Sequence, residues 1–258
     1  MEIKPMIALT LSVVAVILLI LTFFFPWYNV QGSMESAYQY EEEYYQEYDY
    51  KSEMNYDGYF DRSVTETKYT SFGTTERDKI EEDHEKDLKI TSVFSNTRIF
   101  VIIAIIFIAI GSVFIYLVTM GKLDHKIAVI ILAIGFAFAL IAPVYMMTSF
   151  PSAIEDDGQP PAGAFYGDTM DKMTQSFFGS DIENVEGMKM ETTWGGSTSW
   201  FIAIIATVIT AGSMVIVYLY VPEEEPEVAK EHIEDYEELV EEQEPIPMDE
   251  EDERMIVN

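Results

Sequence analysis

Four long apolar runs constrain this chain more than any other feature. Met6–Phe25, Ile99–Met120, Ile127–Met147 and Trp200–Val221 contain no Asp, Glu, Lys, Arg or His. Each has about the 20 residues that a helix needs to cross a ~30 Å hydrocarbon core. The expected fold is an all-α transmembrane four-helix bundle carrying a small extracytoplasmic β-containing domain formed by loops one and two. The boundaries read as an N-terminus at 1–5, spans at 6–28, 99–120, 127–147 and 200–221, loop one at 29–98, a turn at 121–126, loop two at 148–199 and a tail at 222–258.

Composition agrees with that division. The chain is 49% hydrophobic yet has a formal net charge of -30, and the two coexist because charge is segregated between the runs. Asn29–Arg98 holds 17 acidic and 8 basic residues, Thr148–Ser199 holds 9 and 2, and the tail after Val221 holds 17 and 2. So acidic a balance argues against nucleic acid and against anionic lipid surfaces as partners, since both repel carboxylates. There is no cysteine. Disulfides, thiolate metal sites and cysteine nucleophiles are therefore excluded.

The first run is of full membrane length and closes on Pro26-Trp27-Tyr28, so it reads as a retained signal anchor rather than a cleaved leader. Trp27, Tyr28, Trp194 and Trp200 stand at span ends, where aromatic side chains anchor a helix at the headgroup level. Lys4, Lys122, His125 and Lys126 lie in very short segments, where the positive-inside rule has most force. Both termini are accordingly expected in the cytoplasm and both long loops outside.

Loop one has two parts. Tyr38–Tyr50 is almost purely Tyr and acid, whereas Tyr59–Phe72 alternates with period two around Thr65, Thr67 and Tyr69, the signature of a strand. Thr75–Lys89 is highly charged and offers helical pairs at Glu82–Lys86 and Glu85–Lys89. A small external sheet, joined by strands from loop two, is expected. Loop two carries Pro160-Pro161 and an apolar Phe177-Phe178-Gly179 knot before Trp194-Gly195-Gly196. In the tail, Ala229, Ile233, Tyr236 and Val240 form a narrow amphipathic seam, and Tyr236 opens a Tyr-x-x-apolar sorting pattern that a plain helix explains equally well. Beyond Pro245 the composition predicts disorder.

The spans read as scaffold. Transport pathways place ionisable residues at membrane depth, and these runs hold none. Pro143, near the outer end of the third run, is expected to produce a mild kink. Ala203, Thr207 and Ala211 recur every four residues on the fourth run, as do Ala133 and Ala137 on the third, and such faces let helices approach closely within the bundle or between copies. The Tyr/acid segment has three readings: weak Ca²⁺ association through its carboxylates, an adhesive surface presenting Tyr44, Tyr45, Tyr48 and Tyr50, or a solvated low-complexity stretch. The three histidines are scattered, and no His-Glu-x-x-His, Gly-x-Ser-x-Gly or Walker spacing occurs. No catalytic residue, cofactor or metal site is assigned.

With four spans, internal termini, a long strand-bearing first loop and a shorter second one, the chain resembles the claudin-like tetraspan group. The residues carrying the likeness are Pro26-Trp27 and Trp194-Gly195-Gly196; the Trp-x-x-Cys motif of that group's first loop is missing. The resemblance implies an external sheet on a left-handed bundle and a role in cell-surface contact or membrane organisation. The expected function is that of a non-enzymatic integral membrane protein. Its partners are membrane lipid and other membrane proteins or further copies, met through the acidic loops, with the tail recruiting cytoplasmic partners. The alternative is an accessory subunit of a larger transport or envelope complex.

Overall fold

A computed structural model describes residues 3–36, 50–71, 73–85, 87–158, 168–185 and 188–219. The Tyr/acid segment up to Asp49 and the tail, including Tyr236, lie outside them. In chain order the elements are α1 (Ile3–Leu21), β1 (Tyr28–Ser36), β2 (Tyr50–Gly58), β3 (Arg62–Ser71), β4 (Thr74–Asp83), α2 (Lys89–Thr119), α3 (His125–Asp157), α4 (Asp168–Gln175), β5 (Gly179–Val185), β6 (Met188–Gly196) and α5 (Thr198–Tyr218).

Four helices, α1, α2, α3 and α5, are long and apolar enough to cross a membrane, and the chain is a multi-pass membrane protein. They close a ring in which α1 packs on α2 and α5, and α3 packs on the same two. The ring's outer surface is apolar: Ile17, Ile106, Ile130, Ile205 and Val208 are each half-exposed or more. Most of its hydroxyls point inward, as a hydrocarbon solvent requires, while that of exposed Thr10 donates to the Met6 carbonyl of its own helix. Ser112 Oγ donates to Ser12 Oγ at 2.8 Å, and Ser213 Oγ donates to the Ala8 carbonyl at 2.8 Å.

Proline explains the most informative of these bonds. Pro143 has no N–H, so the Ala139 carbonyl one turn earlier loses its helical donor. Thr207 Oγ1 on α5 lies 3.0 Å from that carbonyl and 2.8 Å from the Ala203 carbonyl of its own helix, so its one proton is shared between the two. Pro143 therefore sits inside a continuous α3, and α5 supplies the missing hydrogen bond. Ala203 and Thr207 are buried on this face, as expected, but Ala211 is only half-buried because the face drifts to Ala206, Thr210 and Ser213. On α3 Ala133 is half-buried and Ala137 is exposed, and the buried small residues around Pro143 are Gly135, Ala139 and Ala142, with the Ile108 Cγ1 only 2.6 Å from where a Gly135 Cβ would stand.

Two helices overshoot the membrane. At 31 and 33 residues, α2 and α3 are roughly 45–50 Å long against a core of ~30 Å. Their charged ends, Lys89–Arg98 and Thr148–Asp157, were expected in loops and instead extend the helices into a pedestal on the sheet side. Apolar residues at helical spacing explain the extension, because Ile90, Val93, Phe94 and Thr97 bury one stripe of α2, and Met146, Phe150, Ala153 and Ile154 bury one of α3. Asp157 ties the two ends together, accepting the Lys89 N–H at 2.8 Å and the Ile90 N–H at 2.9 Å, which caps α2 from outside its own sequence.

The sheet stands on this pedestal. Its six strands are antiparallel in the order β4-β3-β2-β1-β6-β5. Strand β1 is the junction, pairing with β2 of loop one and β6 of loop two, so the expected joint sheet is observed. The strand expected over Tyr59–Phe72 is β3. The expected helix at Thr75–Lys89 is not formed; its residues make β4, paired along its length with β3. Other charges of this strand pair across to β3, with Lys79 Nζ 3.1 Å from Glu66 and Arg62 Nε 2.8 Å from Glu81.

Aromatic residues fill the seam between pedestal and sheet. Tyr28 packs on Phe150 at 4.1 Å, Phe94 meets Phe150 edge-on at 5.6 Å, and Trp27 lies 4.8 Å from Phe60. Trp27, Tyr28, Trp194 and Trp200, expected as headgroup anchors, are all buried here against protein. Each indole N–H donates to a backbone carbonyl: Trp27 to Thr22, Trp194 to Ser176 and Trp200 to Pro143, all at 3.0 Å. A buried indole needs such a partner, and the chain turns at the seam provide them. The Tyr28 hydroxyl has no hydrogen-bond partner among the described residues, and burial pushes its phenol well above the usual range, with the Tyr56 phenol adding to the shift.

Candidate functional site

In an antiparallel pair, residues directly opposite each other share a face. The register therefore sorts the sheet into two surfaces without further assumption. On the inner surface Tyr28, Val30, Tyr56 and Trp194 are buried at the base. On the outer surface one row runs Thr193, Gln31, Asn55, Glu66, Lys79 from β6 to β4. The next row, nearer the strand tips, runs Glu191, Ser33, Glu53, Lys68, Arg77.

These two rows line a groove of about 780 Å³ across five strands. Twist in a long sheet of this kind makes one face concave without any help from loops. Ion pairs knit the floor: Lys68 Nζ lies 3.0 Å from Glu53, and Lys51 Nζ bridges Glu53 and Glu35 at 3.2 Å each. The Lys68 and Lys51 hydrogen bonds hold the Glu53 carboxyl below its ordinary value, and Glu53 and Glu35 in turn raise the Lys51 ammonium. Exposed pairs of this kind fix side-chain direction more than they stabilise the fold. Asn55 is set from the base side of the sheet, where Asn29 Nδ2 donates to Asn55 Oδ1 at 2.7 Å and to Asp57 Oδ1 at 2.8 Å, and Asn55 Nδ2 donates to Asp57 Oδ2 at 3.1 Å.

Two polar clusters brace the sheet at its margins. On the inner side α4 grips β5, because Asp181 accepts from Lys172 Nζ and, at 2.8 Å, from Thr169 Oγ1. The Lys172 bond, reinforced by Thr169, holds the Asp181 carboxyl below its ordinary value against the effect of burial. At the foot of β4 the His84 ring stacks on Phe94, with centroids 4.8 Å apart and planes 14° from parallel. Its Nε2 is 2.8 Å from the Tyr59 carbonyl, so Nε2 carries the proton and donates. Burial lowers the imidazole below its usual value, partly offset by that carbonyl and by Asp61 and Asp83.

None of the residues given a site role in the sequence lines the groove, although Thr67 of the alternating strand does. Tyr44, Tyr45, Tyr48 and Tyr236 lie outside the described residues, as do the carboxylates expected to associate with Ca²⁺, and Tyr50 is described only as the first backbone position of β2, paired with Ser36 and Ser71. The tryptophans and Tyr28 support the sheet from below, and Ala203 and Thr207 hold the bundle. Lys68, Arg77 and Lys79 went unremarked as a group. The signal was present: in Glu76-Arg77-Asp78-Lys79-Ile80-Glu81 both cations fall on alternate residues, which a strand places on one face. No protein-family model and no curated protein matches the chain.

Proposed function

We propose that this membrane protein is a docking and organising protein, which presents the outer face of its sheet to a protein partner beyond the membrane surface. The observation that carries the reading is the groove across β4, β3, β2, β1 and β6, lined by oriented amides, hydroxyls and paired charges. Its mounting supports the same reading. Loop-borne surfaces usually move, whereas this one rests on an aromatic seam and on helices that continue into the membrane. A polar, pre-ordered face of this kind suits a separable partner better than a permanent one, whose interface is more apolar. The resemblance to claudin-like tetraspans points the same way, toward contact at the cell surface with both termini inside.

Site-directed photo-crosslinking tests the proposal in membranes. A crosslinker at Gln31 in the groove should give a discrete adduct, and Thr193→Trp, which fills the neighbouring position, should abolish it. A crosslinker at lipid-facing Val208 should not give the same adduct. Identical adducts with and without Thr193→Trp would sink the reading.

A further inference from the structure

We propose that the groove takes an acidic, extended protein segment and that Arg77 receives its carboxylate. This rests on the docking reading above and names the partner's chemistry. Four acidic residues, Glu53, Glu66, Asp78 and Glu191, line this groove, and so do four of the chain's 15 basic ones, so that it is locally neutral in a chain of net charge -30. Three of the four are already satisfied: Lys51 by Glu35 and Glu53, Lys68 by Glu53, and Lys79 by Glu66. Arg77 has no carboxylate partner among the described residues. It stands directly opposite Lys68 on β3 and two residues from Lys79 on the same face of β4.

Like charges directly opposite each other across strands are destabilising, and Glu53 offsets the Lys68–Arg77 repulsion only on the Lys68 side. An arriving carboxylate relieves it and gains the two-pronged geometry that a guanidinium offers and an ammonium does not. Spacing favours an extended chain. Side chains on one face of a strand repeat about every 6.8 Å, and a bound extended peptide has the same repeat, so acids at alternate positions match Arg77 and Lys79. Gln31, Ser33, Asn55 and Thr193 supply the donors and acceptors that peptide groups need. No lining residue is aromatic, so the groove offers no ring on which a sugar face would stack, and a protein segment is the better fit than an anionic glycan.

The test uses the full chain in nanodiscs and a fluorescent eight-residue peptide alternating Glu and Ser, with a Lys/Ser peptide and a heparin fragment as comparators. The Glu/Ser peptide should bind, and more weakly as salt rises. Arg77→Ala should weaken it roughly tenfold, as expected for a charge-assisted contact. Arg77→Glu should remove it, and Arg77→Lys should fall between wild type and Arg77→Ala. Because every residue of β4 is exposed, these variants should keep the wild-type circular dichroism and melting profile, which separates lost binding from lost fold. Equal binding to Arg77→Glu, no binding of the Glu/Ser peptide, or binding of heparin alone would each overturn the proposal. Preferential binding of the Lys/Ser peptide, abolished by Thr193→Trp, would overturn the acidic partner while leaving the docking face intact. Unchanged Gln31 crosslinks in Thr193→Trp would overturn the docking reading itself.

Discussion

The two faces of the sheet are held by opposite means. At the base of the inner face, Tyr28, Val30, Tyr56 and Trp194 are buried against the pedestal, and their contribution comes from apolar area removed from water. The outer face is a lattice of ion pairs in solvent, where Coulomb attraction is nearly cancelled by hydration and side-chain entropy. One face therefore stabilises the domain and the other is free to be recognised. The same division runs between the bundle and the sheet. The exposed surface of the bundle is apolar and most of its hydroxyls are buried, whereas the exposed face of the sheet is polar.

The strongest way to break this division is to empty the seam. Phe150→Ala removes a fully buried ring that touches Tyr28 and Phe94, and should cost about 3–5 kcal/mol. Tryptophan fluorescence during detergent-titrated unfolding reports it directly, because Trp27, Trp194 and Trp200 all sit in the seam. A smaller effect belongs to the bundle. Thr207→Val leaves the Ala139 carbonyl without a donor and should cost about 0.6–1.7 kcal/mol. In a Pro143→Ala background the helix regains its own N–H, so the same change should cost close to nothing. Equal penalties in both backgrounds would show that the hydroxyl acts only by packing.

On the outer face the expected effect is smaller still. Lys79→Ala deletes the exposed pair with Glu66 and should change stability by only about 0.2–1 kcal/mol, with the melting point nearly insensitive to salt. The last prediction concerns acid. The folded protein holds the His84 imidazole below its ordinary value of 6.5, chiefly through burial, so the unfolded chain takes up its proton first as pH falls. Stability is then unaffected above that value and declines as pH drops through it toward the folded value. His84→Gln should flatten a melting curve recorded across that window. An unchanged acid slope would overturn the assignment to His84.

How much of this was readable in advance depends on how far each residue's partner lies along the chain. The four spans were legible because the hydrocarbon acts on every residue of a run alike, and β3 because Thr65, Thr67 and Tyr69 alternate locally. Strand β4 was not, since Glu82 and Glu85 make the same i,i+4 pattern with nearby lysines that a charged helix would. Only its neighbour β3 selects the extended form. The pedestal was hidden because Lys89, Arg98 and Glu155 look like loop charges, while Ile90, Phe94 and Phe150 acquire their meaning from Tyr28 and His84 packed above them.

The sequence by itself determined that this is a multi-pass membrane protein, that its charge is kept out of the membrane, and that its first long loop carries a strand. Hydropathy and period-two alternation are local properties, so no contact had to be known. Tertiary structure alone decided that the tryptophans serve the seam rather than the lipid headgroups, that Thr207 answers Pro143, and that Lys68, Arg77 and Lys79 gather on one face. Each of these joins residues from different elements, and no local pattern specifies which strand will lie beside which.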